Sequence, residues 1–287
     1  MGRPLTPANR LLALDIDGTL LRSDKQLTPR VRQAVQAARD EGVQVVLVTG
    51  RRPPAARRIA DLLGGGFPMV LHNGALIVED GTLLRCFALP LATALRAIAA
   101  GRAAGFDPVV HVGQRAEGGL LVEGARASNT LLAYYLDKSH PDVRVVERLE
   151  QALDEDPIQV MFGDRVLSIL ALEASLRALL GAGASIERTV YRAQDTALLD
   201  ILHPRVGKAE ALAFLCARYA VRAAQVLAIG DNWNDREMLM QAGRGVVMGN
   251  ADPALHRLGL EIAPTSDEDG AAWAIERYLL PGKKMRG

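Results

Sequence analysis

Cysteine is almost absent from this chain: Cys86 and Cys216 are the only two in 287 residues. They lie far apart and match no metal-binding or redox spacing, which excludes a disulfide framework and leaves two buried thiols in a reducing compartment. A surplus of either charge is missing as well. Thirty-four basic residues against thirty-three acidic ones leave a net charge of +1, so nothing in the total calls for nucleic acid, a membrane surface or a polyanionic partner. No window has the uncharged length of a membrane span, and no apolar stretch in MGRPLTPANR precedes the first strand. Gly2 and Thr6 satisfy a loose acylation pattern that chance often produces, and the GKKMRG end reads as a solvated basic terminus. Internal repeats and low-complexity segments are lacking too. The expectation is a cytoplasmic protein, monomer or homodimer, whose partner is a small molecule, with no nucleic acid and no membrane. Apolar residues make up 49%, enough for one large core or two smaller ones.

Apolar runs alternate with helical patterns over the first eighty or so residues: LLALDID, a helix, GVQVVLVTG, a helix, then PMVLHNG. Unbroken apolar strands alternating with helices imply a parallel sheet covered on both faces, a doubly wound α/β core with right-handed crossovers. The first helix is the best marked. Thr28 is its candidate N-cap, Pro29 its first residue, Val31, Ala34, Val35 and Ala38 its apolar stripe, and Gly42 its terminator. The same pattern returns near the C-terminus, with a helix from about Lys208 to Tyr219, then QVLAIGDN, a helix after Asp235, GVVMGN and a last helix near Asp269. Between the halves the pattern changes. Asp80 and Gly81 suggest a hairpin, and shorter strands such as VVHV, GLLVE and PIQVMF follow among helices. The expected organisation is a core of residues 1–82 and 191–287 with an inserted α+β domain over 83–190.

Candidate chemistry gathers at strand ends. Asp15 and Asp17 end the first strand two residues apart, so both carboxylates face one crevice, and Gly18 lets the backbone turn beside them. An Asx turn is the plain alternative, whereas a calcium loop of the EF-hand type is excluded by the position of the glycine. Thr49, Gly50 and Arg51 end the second strand and open the next helix, where a hydroxyl and a free amide at a helix N-terminus suit a phosphate; Thr-Gly alone is an ordinary turn. Gly230, Asp231, Asn232, Trp233, Asn234 and Asp235 follow a further strand, and Asn234 or Asp235 could simply cap the next helix. Capping does not account for Asp231. An acid on the same rim as Asp15 requires a positive charge among the carboxylates, and Mg2+ suits such hard oxygen ligands. Lys208 begins a helix in a chain with five lysines against twenty-nine arginines, so it is not the default basic residue; a solvated surface lysine is the alternative. A phosphate dianion can approach Asp15 and Asp231 only against such compensation.

In this order DIDGTL, VTGR, a lysine before a helix, and GDNWND resemble the four motifs of the haloacid dehalogenase superfamily. VLHNGALI, the inserted domain, and MGNADPAL followed by APTSDEDGAAWAI resemble more narrowly its Cof-type phosphatases, so the likeness covers nearly the whole chain. The resemblance implies a Rossmann-like core with a cap, and a magnesium-dependent phosphatase in which Asp15 attacks phosphorus to form an aspartyl phosphate. Asp17 then protonates the leaving alkoxide and later deprotonates water. By the same resemblance Mg2+ is held by Asp15, the carbonyl of Asp17, and Asp231, while Thr49, Gly50, Lys208 and Asn234 hold the phosphate and Asp235 supports Lys208 and the metal. An acid at position 17 separates phosphatases of this kind from dehalogenases; transporting ATPases have lysine there and membrane spans. GKAEAL departs from a common glycine after the lysine, and Ser266 from a common asparagine.

The cap is expected to close over the crevice and read the leaving group. His111 and Arg115 are candidate contacts, yet a histidine in an apolar strand is more often a core residue and an isolated arginine a solvated one. The expected substrate is a small phosphorylated metabolite, sugar phosphates foremost. A specialised sugar phosphatase or phosphomutase of the same superfamily is the alternative among enzymes, and a non-catalytic phosphometabolite-binding regulator the alternative outside them.

Overall fold

A computed structural model describes residues 11–113, 118–124, 129, 132–133, 137, 142–191 and 194–280. The N-terminal leader, the basic C-terminal end and Arg115 lie outside the described residues. The strands, in chain order, are β1 (Leu11–Leu14), β2 (Gln44–Val48), β3 (Met69–Leu71), β4 (Leu76–Glu79), β5 (Thr82–Cys86), β6 (Val109–Val112) and β7 (Gly119–Val122). They continue with β8 (Val143–Val145), β9 (Gln159–Arg165), β10 (Ser185–Tyr191), β11 (Thr196–Leu202), β12 (Val226–Gly230), β13 (Arg244–Val247) and β14 (Glu261–Ile262). The chain divides into two compact units, one bounded by Met1–Arg51, Ala55–Thr82 and Lys208–Gly287, the other by Arg52–Pro54 and Leu83–Gly207.

The first sheet runs β14, β13, β12, β1, β2, β3, β4, β5. Its strands pair in parallel from β14 to β3, and β4 then returns antiparallel to β3. From β1 the order advances to β2 and β3 on one side and to β12 and β13 on the other. The junction of β1 and β12 is therefore the switch point at which doubly wound sheets bind ligands. All four residues of β1 are fully buried, as a central parallel strand covered on both faces should be.

Local chemistry sets the elements around it. Thr28 caps the Pro29–Asp40 helix by accepting a hydrogen bond from the Val31 amide at 3.1 Å. Val31, Ala34, Val35 and Ala38 are its buried stripe, and Gly42 follows the C-cap at φ 74°. Asp80 and Gly81, at φ 48° and 76°, make the two-residue turn between β4 and β5, with the positive dihedrals that a tight hairpin needs.

The second unit is built on a sheet in the order β10, β11, β9, β6, β7, β8, antiparallel except for the β7 and β8 pair. One face of β9, through Val160 and Phe162, joins a core with Ala97 and Ile98 of the Leu91–Ala103 helix and Ile169, Leu172 and Leu176 of the Val166–Leu180 helix. On the other face Met161 of β9 packs with Val109 of β6 and Leu120 and Val122 of β7. His111, in β6, is 2% exposed and pairs in register with Gln159, whose amide donates to Asp200 at 2.9 Å.

Two differences from the sequence reading have simple causes. The sequence suggested a return of the core at residue 191, whereas the second unit extends to Gly207, because TALLDIL forms β11 and pairs on both sides within the second sheet. The sequence also suggested that no segment is apolar enough to span a bilayer. Among the described residues one stretch, Val166–Gly183 with a mean hydropathy of 1.6, meets that criterion by length and composition; Ile169, Leu172, Leu176 and Leu180 within it are buried core residues.

Candidate active site

The site lies at the C-terminal ends of β1, β2 and β12, within the first unit. Asp15 follows β1 directly, its amide donating to the Ile229 carbonyl of β12 at 3.1 Å, so the sheet ladder itself sets where its side chain begins. Lys208, the first residue of the Lys208–Arg218 helix, is 2% exposed and buries its ammonium between two carboxylates. Its Nζ donates to Asp15 Oδ1 at 2.7 Å and to Asp235 Oδ1 at 2.6 Å. It is thus not the solvated surface lysine that composition alone allowed.

Asp235 is fully buried and its other oxygen is also committed: Oδ2 accepts from the backbone amides of Asp231 and Asn232 at 3.2 and 3.1 Å. Its side chain therefore ties the loop after β12 to Lys208 instead of capping the Arg236–Gln241 helix. Gly230 is required for this, since a Cβ there would lie 2.6 Å from the Asp235 carboxyl carbon. Asp231 completes the group, for one carboxylate oxygen from each of Asp15, Asp231 and Asp235 can be drawn from a set lying within 4.8 Å. Thr19 Oγ1 donates to Asp231 Oδ1 at 3.3 Å. Gly18, at φ 76°, passes so close that a Cβ would sit 2.3 Å from Asp231 Oδ2.

Crowding of acids out of water perturbs their ionisation in the expected direction. Burial, assisted by the nearby Asp235 charge and opposed by Lys208, raises the Asp15 carboxyl to about 7. Burial and the charge of Asp15 push Asp231 well above the usual carboxylate range. Burial would lower the Lys208 ammonium, but Asp15 and Asp235 outweigh it and hold the proton more tightly than in water. Three carboxylates against one ammonium leave a surplus of negative charge in a site whose donors are all oxygen. A divalent hard cation fits both the charge and the donor set.

Asp17 stands apart from this cluster, with its carboxylate turned to Arg51, which donates from Nε to Oδ2 at 2.7 Å and from Nη2 to Oδ1 at 2.8 Å. Lys25 Nζ adds a third contact to Oδ1 at 3.1 Å. Burial would raise this carboxyl, yet the hydrogen bonds and charge of Arg51, with Lys25 behind them, bring it down to about 2.

Thr49 and Gly50 lie on the adjoining strand end. The Thr49 side chain is buried and its Oγ1 accepts from the Arg51 amide at 3.1 Å. Asn234 reaches this turn indirectly: its Nδ2 donates at 2.9 Å to Oδ1 of Asn73, the atom that a Cβ on Gly50 would approach to 3.1 Å. The structure therefore brings Asp15, Asp231, Asp235 and Lys208 into one cluster and sets Thr49, Gly50 and Asn234 around a second, smaller junction.

Three residues at these junctions, Asn73, Asn250 and Lys25, have no role in the sequence pattern, and a fourth, Arg51, enters it only as the end of the VTGR turn. Asn73 is fully buried at φ 56°, a conformation asparagine tolerates, and the HNG triplet was the available signal. Asn250 donates to the Gly18 carbonyl at 2.9 Å and accepts from the Ser266 amide at 2.8 Å, so Ser266 contributes its backbone here. Lys25 and Arg51 are long side chains whose reach no local pattern reveals.

Comparison with known proteins adds an independent line. The family model described as haloacid dehalogenase-like hydrolase matches residues 12–275. The chain is 28% identical to the HMP-PP phosphatase of Serratia proteamaculans over 273 residues, covering 94% of this chain and 95% of that one. It is 25% identical to 5-amino-6-(5-phospho-D-ribitylamino)uracil phosphatase YitU of Bacillus subtilis over 278 residues, covering 94% and 97% respectively. Among solved structures, BT1666 from Bacteroides thetaiotaomicron, described among phosphatases of the haloalkanoate enzyme superfamily, superposes with a TM-score of 0.79 at 24% identity over 97% of this chain and 98% of its own.

Proposed function

From the premise that the chain belongs to the haloacid dehalogenase-like hydrolases and is a phosphatase of that family, we propose that it hydrolyses small phosphorylated metabolites, sugar phosphates foremost, through an aspartyl phosphate on Asp15 with Mg2+ as cofactor. The observation that carries the reading is the buried run Asp15, Lys208, Asp235 with Asp231 alongside, at the sheet's switch point. The relatives support the class of substrate, since the name of YitU describes a phosphate carried on a ribityl chain.

Asp15 is the nucleophile. Its carboxylate attacks phosphorus, the bond from phosphorus to the leaving oxygen breaks, and Asp17, whose carboxyl takes up a proton as the phosphate's negative charge enters beside it, gives that proton to the leaving oxygen. Water then attacks the phosphorus of the aspartyl phosphate, Asp17 takes up the proton, and the bond to Asp15 breaks to release phosphate. Lys208 holds the Asp15 carboxylate in place and offsets charge on the phosphoryl oxygens, while Asp235 keeps Lys208 oriented. Thr49, Gly50 and Asn234 bind the phosphate through hydroxyl, backbone amide and side-chain amide. Asp15 and Asp231, with the main-chain carbonyl of Asp17, are the residues that would hold Mg2+. When bound, the ion supplies positive charge to the phosphoryl oxygens and to the crowded carboxylates. The free cysteines Cys86 and Cys216 suit a reducing, cytoplasmic setting.

The test is phosphate release from a panel of phosphorylated sugars, nucleotides and an aryl phosphate, with and without magnesium, for the parent and Asp15→Asn. Metal-dependent turnover that the substitution abolishes supports the proposal, and the ranking names the substrate. Binding without turnover in the parent would sink it in favour of a regulator.

A further inference from the structure

Asp17 is held more firmly than a terminal acid of a turn requires. Both of its oxygens accept hydrogen bonds, Oδ2 from Arg51 Nε and Oδ1 from Arg51 Nη2 and Lys25 Nζ. The two cations come from separate segments, each fixed by its own backbone. Arg51 donates its amide to Thr49 Oγ1 at 3.1 Å and its carbonyl accepts from the His72 amide at 3.2 Å. Lys25 sits at φ 64° in a turn closed by its own amide on the Arg22 carbonyl at 2.9 Å. That turn is anchored where Ser23 donates its amide and hydroxyl to Asp267 at 2.9 and 3.0 Å. A non-glycine residue with φ above zero is unfavourable, so the placement of Lys25 carries a local conformational cost.

We propose that Arg51 and Lys25 are positioning residues for Asp17: Arg51 is the fixed clamp that sets the direction of its carboxyl, and Lys25 is a looser second contact. The inference rests on the assignment of Asp17 as acid and base. Among the described residues Oδ2 accepts from Arg51 alone and keeps a lone pair for the proton that passes to the leaving oxygen, so the fork of Arg51 can stay closed through the reaction cycle. The planar fork of Arg51 makes two short parallel bonds from a side chain 23% exposed; Lys25 makes one longer bond from a side chain 56% exposed. Planar two-point pairing fixes a direction that a single flexible ammonium does not. The weaker, wetter contact of Lys25 therefore adds little to the direction that the fork sets.

Leaving-group dependence isolates this role. An aryl phosphate with an activated phenol departs without help, whereas glycerol phosphate leaves as an alkoxide that needs a proton. The experiment compares steady-state turnover of a nitrophenyl phosphate and of glycerol phosphate by the parent, Asp17→Asn, Arg51→Met, Arg51→Lys and Lys25→Met, with thermal melts of each variant. Arg51→Met is expected to lose about 100-fold in kcat on glycerol phosphate but less than about 5-fold on the aryl phosphate, as partial loss of general acid catalysis should. Lys25→Met should lose less than about 5-fold on either, and Arg51→Lys should fall between, because its charge remains while its two-point geometry is lost. Equal losses on both substrates, or a change confined to KM, would make Arg51 a phosphate ligand or a structural residue and overturn the inference. If Arg51→Met does not fold, Arg51→Lys carries the same comparison. Asp17→Asn separates the two levels of argument: no leaving-group split in that variant removes the acid assignment and the inference with it. A split there but none at Arg51 removes the inference alone.

Discussion

Gly18 shows how much of this site is decided by a single missing methyl group. Its φ of 76° is one that other residues adopt with strain, and its Cα faces Asp231 so closely that a Cβ would stand 2.3 Å from Oδ2. Strain of this sort costs about 1–2 kcal/mol, which a domain of this size tolerates. The carboxylate of Asp231 does not have the same freedom, because Thr19 and Asn250 both touch it, at 3.3 and 3.5 Å. Gly18→Ala should therefore fold, with a melt only slightly below the parent, and lose about 100-fold or more in kcat/KM, since a displacement of about 1 Å in a catalytic group has that effect. Equal losses of stability and activity, traced by calorimetry beside kinetics, would show that the glycine serves the fold and not the site. That Asp15, Asp17, Thr49, Gly50, Lys208 and the Asp231 loop lie at strand or helix ends was legible in the sequence, because glycine or a switch in apolar pattern marks each place. The partners of Asp17 could not: Arg51 is thirty-four positions away, and only the folded sheet brings its guanidinium to Oδ1 and Oδ2.

At the scale of elements, helix signals were legible where backbone and side chain agreed. Thr28, Pro29 and Gly42 mark a helix whose cap, first residue and terminator all lie where local chemistry requires them. The strand TALLDIL was harder to place, because a buried antiparallel strand and a parallel core strand are both apolar runs; only its partners β9 and β10 assign it to the second unit. Close packing there makes a separate prediction. In the Leu91–Ala103 helix, Gly101 admits Phe162, whose ring carbon would lie 2.2 Å from an added Cβ and whose edge-to-face contact with Phe106 spans 6.4 Å. Helix propensity alone favours alanine over glycine by about 0.5–1 kcal/mol, but forcing a fully buried ring aside costs about 1–3 kcal/mol. The packing term wins, so Gly101→Ala should lower the urea midpoint. A raised midpoint would mean that the ring has room to move. Turnover per folded molecule on the aryl phosphate reports on the first unit and should be retained.

For the whole molecule, the proposed metal site would make folding and metal binding parts of one equilibrium. Asp15, Asp231 and Asp235 can each present an oxygen within 4.8 Å of the others, and a single ammonium, Lys208, lies among them. Without a divalent cation this concentration of acids disfavours the native state; with one, Asp15 and Asp231 would become ligands present only when β1 and β12 are paired. A ligand that binds only the folded form at about one hundred times its dissociation constant adds about 2.7 kcal/mol. Calorimetry of the full chain should therefore show a melting transition that rises with magnesium and falls back with a chelator. Asp231→Asn should abolish that shift, and in chelator it should melt above the parent, because a carboxyl whose ionisation burial and Asp15 oppose has gone. The crossing of the two curves is the informative result: a variant less stable than the parent with metal and more stable without it requires that the carboxylates repel one another until a cation binds. A variant less stable under both conditions would show instead that Lys208 and the hydrogen bonds of Asp231 already balance the cluster, and the case for a resident Mg2+ would fall.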